Sequence, residues 1–112
     1  MSQNPEEVKE IDVQELKKWR DAGKDFDLID VREPNEYDLT HIGGTLIPLG
    51  QISTRAGEVS KERTVVVMCR SGKRSSQAVL ELQKNLGYTN LLNLKGGILA
   101  WSAEIDSNIP RY

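Results

Sequence analysis

Cysteine and histidine are almost missing from this chain of 112 residues: Cys69 and His41 each stand alone. A single cysteine excludes an intramolecular disulfide, and one of each excludes a Cys/His zinc site. Long apolar runs are missing too. None approaches the roughly 20 residues needed to span a bilayer. Neither charge sign is in excess. Fifteen Lys and Arg face seventeen Asp and Glu, a net charge of −2. Such a balance provides no general basic face for nucleic acid. The start, Met-Ser-Gln-Asn-Pro-Glu-Glu, lacks the basic and then apolar regions of a signal peptide. The expectation is therefore a cytoplasmic protein with a reduced thiol, no membrane or nucleic-acid partner, and a size and charge that suit a monomer.

The length fits one domain with one modest core. Residues 1–9 are polar and read as a flexible N-terminal lead-in, with the domain over 10–112. Glu10 to Asp12 reads as a short edge strand. Val13, Leu16 and Trp19 then recur at helical steps, with Asp12 as N-cap, Glu15 completing a capping box and Gly23 as the stop. Phe26 to Val31 reads as a strand and Pro34 to about Leu39 as a short helix. Thr45 to Ile47 is a short strand, and Leu49 to about Ala56 a weaker helical stretch. Thr64 to Met68 is β-branched on both faces, the mark of a parallel strand covered by helices. Ser75 to Leu86 is a helix closed by Gly87, Leu91 to Leu94 the last strand, and Gly96-Gly97 opens a final helix. This alternation predicts an α/β fold: a single three-layer domain, a mostly parallel central sheet of about five strands, and helices on both faces.

The chemistry concentrates where the buried strand runs out into Cys69-Arg70-Ser71-Gly72-Lys73-Arg74-Ser75. Ligands of open α/β sheets bind at the carboxyl ends of strands, where Cys69 falls. Gly72 can take positive φ and let the loop curl with its N–H groups inward, and the next helix adds its positive N-terminal end. Between Glu62 and Glu81 lie eighteen residues with four cations (Arg63, Arg70, Lys73, Arg74) and no carboxylate. The chain average would put roughly three carboxylates there. Cysteines beside cations at helix N-termini ionise readily, so Cys69 is expected to be a thiolate nucleophile at neutral pH. The bland alternative is a buried structural thiol, which a loop with three cations disfavours. Papain-like hydrolysis needs a histidine base; His41 is the sole candidate, and nothing in the sequence brings it to Cys69. The loop is not a Walker loop either, since Val67 stands where its first glycine belongs.

These segments, in order, resemble a single-domain rhodanese, from about Ile11 to Tyr112. The resemblance rests on Asp30-Val31-Arg32-Glu33 with Glu36-Tyr37, on His41-Ile42, Gly44 and Ile47-Pro48-Leu49, on the Cys69 to Ser75 loop, and on Leu94-Lys95-Gly96-Gly97 with Ala100-Trp101. It implies a sulfurtransferase in which Cys69 takes sulfane sulfur from thiosulfate or a similar donor as a persulfide and hands it to a thiophilic acceptor. Arg70, Ser71, Gly72, Lys73, Arg74 and Ser75 would bind the anionic donor and sulfur. Asp30 and Arg32 would form a structural ion pair near the site. No cofactor or metal is implied. The C-terminal run resembles rhodanese domains fused to enzymes that activate sulfur-carrier proteins. An alternative is therefore a relay domain docking a sulfur carrier or a cysteine desulfurase. Cys69 and Arg74 are separated by four residues. Related phosphatases and arsenate reductases resemble a loop one residue longer, which leaves those activities as minor alternatives.

Overall fold

The computed structural model describes residues 4–111. Among the described residues are five strands and four α-helices. They are β1 (Glu10–Ile11), α1 (Val13–Asp21), β2 (Asp27–Asp30), α2 (Pro34–Leu39), β3 (Thr45–Leu46), β4 (Val65–Met68), α3 (Lys73–Leu86), β5 (Leu91–Leu94) and α4 (Gly97–Glu104). They alternate except that β4 follows β3 with no α-helix between them. The sheet order is β1-β5-β4-β2-β3 and every pairing is parallel. The carboxyl ends of β2, β4 and β5 therefore share one edge.

Period-two alternation in the strands divides the core into two apolar layers. Val65, Val67 and Cys69 of the β4 line face Ala78, Val79 and Leu82 of α3, together with Ile29 and Val31. Val66 and Met68 face the opposite way, toward Val13 and Leu16 of α1 and Ile98 and Trp101 of α4. The four residues of β4 are all buried, as the unbroken β-branched run requires. Cys69 continues this parity one step past the strand. That step carries its side chain beneath the first turn of α3.

Several local expectations are corrected. The stretch from Leu49 to Ala56 forms no α-helix but two 3₁₀ turns, Leu49–Gln51 and Ala56–Glu58. Its apolar residues Ile52 and Ala56, with Val59 just beyond, still reach the α3-side core, but the stretch lacks the sustained apolar stripe of a helix. α3 begins at Lys73 rather than Ser75 because Gly72, at φ 102°, turns the chain directly into the helix. Only half of the capping box at Asp12 forms. Asp12 accepts from the Glu15 N–H, but the Glu15 carboxylate takes the Trp19 indole N–H instead. Residues 4–9 of the lead-in make contacts with the domain. Gln83, 3% exposed on α3, donates to the carbonyls of Pro5 and Glu7, and Val8 packs on the core. Residues 1–3 of that lead-in, and Tyr112, lie outside the described residues. Among the described residues no helix is long and apolar enough to cross a membrane.

Candidate active site

Cys69 Sγ accepts a hydrogen bond from the Gly72 N–H at 3.0 Å and lies 3.3 Å from Ser75 Oγ. The loop can fold back on the sulfur because Gly72 adopts the left-handed conformation that closes it. The peptides on either side of Arg70 are held from behind. The N–H groups of Ile98 and Leu99, in the first turn of α4, donate to the carbonyls of Cys69 (3.0 Å) and Arg70 (3.1 Å). This contact requires Gly97, because a Cβ there would come within 2.4 Å of the Cys69 oxygen. With those carbonyls drawn to α4, their oxygens are kept off the sulfur side of the loop. The first N–H groups of α3, on Lys73, Arg74 and Ser75, precede the first bond of the helix, Ser76 N–H to Gly72 O, and have no acceptor within it. They and the helix dipole favour negative charge at this end.

The sulfur lies deeper than the sequence suggests. Cys69 is 1% exposed and belongs to the α3-side core, because the parity of β4 points it inward. Above it, Arg70, Ser71 and Lys73 are exposed and Ser75 is buried. An open cleft of about 430 Å³ flanks the loop on the β5 side, lined by Ser71, Gly72, Lys73, Asn93 and Lys95 among others.

The local run of cations is partly cancelled by residues distant in sequence. Arg63 sits at the opposite end of β4 and pairs with Asp25 (2.6 Å) and Asp27 (2.9 Å). Arg74 makes a two-pronged pair with Glu36 of α2, at 2.6 and 2.8 Å. Arg70 and Lys73 form no ion pair among the described residues. Glu36 is legible in the sequence only as part of a motif; its partner lies 38 positions away, and no spacing rule connects them. α2 is itself anchored by Arg32, which is fully buried with Asp30. The Arg32 guanidinium grips both Asp30 oxygens and donates to the carbonyl oxygens of Glu36 and Thr40. One line of contacts thus runs from Asp30 through Arg32, α2 and Glu36 to Arg74.

The hydrogen bonds from Arg74 hold the Glu36 carboxyl down to about 2 from its ordinary 4.5, against the opposing effect of burial. A carboxyl depressed on folding stabilises the fold above its unfolded value, and that stabilisation is lost as pH falls through the folded value. The Glu36–Arg74 pair therefore contributes fully above about pH 5 and fades toward pH 2. Glu36→Gln is expected to lower stability by roughly 1–2 kcal/mol at pH 6. Urea melts across pH should show that gap closing between about pH 4.5 and 2; a gap that does not change with pH would contradict the assignment.

His41 stands apart from the thiol. Its ring stacks on Tyr37 with centroids 4.2 Å apart, and its Nδ1 accepts from the Gly43 N–H. Among the described residues no group of three or more His, Cys, Asp or Glu side chains could hold a metal ion. Asn93 carries no signal in the sequence, where Leu-Leu-Asn-Leu reads simply as a strand. It is 2% exposed, hydrogen-bonds Ser75 and donates to the Gly72 carbonyl.

The chain is 42% identical over 96 residues to a protein named "Sulfurtransferase" from Allochromatium vinosum, covering 85% of this chain and 89% of that one. It is 37% identical over 105 residues to "Probable adenylyltransferase/sulfurtransferase MoeZ" of Mycobacterium tuberculosis, covering 91% of this chain. It spans only 26% of that relative. The crystal structure of a rhodanese-like domain protein from Staphylococcus aureus superposes with a TM-score of 0.79 at 27% identity, over 94% of this chain and 99% of that one. The profile of the rhodanese-like domain matches residues 12–104. The chain belongs to the rhodanese-like domain family.

Proposed function

We propose that the protein is a sulfurtransferase that carries sulfane sulfur as a persulfide on Cys69. The observation that supports this best is a single sulfur atom, 1% exposed, beneath a short loop and met by the Gly72 amide. A donor that ends in one outer sulfur atom can reach such a depth, whereas a bulky tetrahedral ester is a poor fit for so short a loop. In the first half-reaction the Cys69 thiolate attacks the outer sulfur of thiosulfate. The Sγ–S bond forms, the donor S–S bond breaks, and sulfite leaves with its electron pair. The persulfide's outer sulfur now carries the negative charge, which the N–H groups at the start of α3 stabilise. In the second half-reaction an acceptor such as cyanide attacks that outer sulfur. The Sγ–S bond breaks, its electron pair returns to Sγ, and thiocyanate departs.

Arg70 and Lys73 supply the cationic rim for the donor's oxyanion, with Ser71 and Gly72 in the loop floor. The Arg74 charge is shared with Glu36. Steady-state rates with thiosulfate and cyanide varied together should give the parallel double-reciprocal lines of a ping-pong reaction. Intersecting lines would contradict a covalent carrier.

A second reading, a sulfur relay between proteins, draws support from the exposed cations Arg70, Lys73 and Lys95 around the site and from the adenylyltransferase/sulfurtransferase relatives. A cysteine desulfurase loading Cys69 much faster than thiosulfate does would favour it.

A further inference from the structure

Ser75 is fully buried, and its hydroxyl has one proton. Two groups compete for it. Cys69 Sγ lies 3.3 Å away and Asn93 Oδ1 about 2.5 Å away on the other side. The orientation of the Asn93 amide is fixed by its surroundings. Its nitrogen donates to Glu10 Oε2 at 3.0 Å and to the Gly72 carbonyl at 3.2 Å. Both of those partners only accept, so the amide oxygen must be the atom facing Ser75.

The proton count then depends on the state of the sulfur. A Cys69 thiol can donate to Ser75 Oγ while Ser75 donates to Asn93, and every group is satisfied. A Cys69 thiolate has no proton to give. If Ser75 turns its proton to the sulfur, the Ser75 and Asn93 oxygens face each other with lone pairs at the closest contact in the site. If Ser75 stays with Asn93, the thiolate keeps only the Gly72 N–H from this pair of donors. A persulfide escapes the conflict, because its charge lies on the outer sulfur and not on Sγ.

We propose that Asn93, anchored by Glu10, is a positioning residue that withholds the Ser75 proton from Cys69 and so favours the persulfide over the free thiolate. The inference rests on the persulfide reading above. Asn93 thereby slows discharge, the step in which the Sγ–S bond breaks and its electron pair returns to Sγ. The site becomes a holder of sulfur that releases it on encounter with a strong acceptor.

Asn93→Ala frees Ser75 to donate to the departing Sγ. Discharge of preloaded persulfide to cyanide, followed by stopped flow, should accelerate about five- to tenfold, a part of the worth of one hydrogen bond to a charged atom, because Sγ carries only part of its charge in the transition state. In a Ser75→Ala background the same substitution should change nothing, whereas a merely structural role of Asn93 would persist there. Glu10→Ala, at the exposed end of the network, should give a smaller acceleration in the same direction and serves if Asn93→Ala folds poorly. Alkylation of Cys69 by iodoacetamide at a fixed pH below the plateau of its pH profile requires no sulfur transfer. It should rise with Asn93→Ala only when Ser75 is present, and it tests the inference even if no persulfide forms. Unchanged or slower discharge and alkylation in folded Asn93→Ala and Glu10→Ala proteins, or an equal effect without Ser75, would overturn it.

Discussion

Cys69→Ser protein is expected to fold normally and to transfer no sulfur. The two halves of that expectation have separate causes. Cys69 sits at 1% exposure with the Gly72 N–H at 3.0 Å and Ser75 Oγ at 3.3 Å. A serine hydroxyl at that point can accept from the same amide and exchange a hydrogen bond with the same serine, so no buried polar group is orphaned. Oxygen is smaller than sulfur and packs less well against the apolar neighbours, which costs about 1 kcal/mol. The chemistry has no such substitute. A serine hydroxyl is un-ionised near neutral pH, no histidine contacts it to act as base, and oxygen forms no stable sulfur-transfer adduct. Turnover should fall to background, a loss of more than about a thousandfold, while the melting temperature moves by only a few degrees. Retention of several per cent of wild-type transfer would remove Cys69 from the reaction.

Arg32→Leu is expected to have the largest effect on stability. Asp30 and Arg32 are both fully buried, and the guanidinium holds the Asp30 carboxylate through two donors. Removing the arginine leaves a carboxylate with no counter-charge in the interior and strips the Thr40 carbonyl of its 2.7 Å donor. Breaking a buried pair from one side costs about 3–5 kcal/mol, a large part of the stability of a domain this size. A fall in melting temperature on the order of 15 °C follows. Replacing both Asp30 and Arg32 by leucine should be milder than Arg32→Leu alone, because no charge is then stranded. The damage should also reach the site. Arg32 fixes α2, α2 presents Glu36, and Glu36 holds Arg74 at 2.6 Å. An Arg32→Leu protein that melts within a few degrees of wild type would contradict the account of the pair.

The repeated strand-and-helix punctuation is readable because each piece carries its own signal. The β-branched run before Cys69 can only be a covered parallel strand, and β5 falls on Leu91–Leu94 as expected. The loop announces itself through a cysteine, a glycine and three cations in six residues. What stays hidden depends on contacts between distant segments. Counting charges along the chain gives a loop with no carboxylate, yet folding brings Glu36 onto Arg74 and carries Arg63 to the other end of β4. Exposure is hidden for a related reason. The polar neighbours of Cys69 suggest an accessible thiol, whereas strand parity, read through to residue 69, turns it into the core. Asn93 is unreadable because a polar residue in a strand gives no sign of what it faces. Here it faces a serine eighteen positions earlier.

The claim on which the rest depends is that Cys69 carries transferred sulfur. Intact-mass analysis of the wild-type protein after incubation with thiosulfate, with Cys69→Ser alongside, tests it most directly. The wild type alone should gain one sulfur atom, mapped to Cys69 and removed by cyanide or by a thiol. An unchanged wild-type mass after incubation with thiosulfate, mercaptopyruvate and a cysteine desulfurase in turn would contradict it.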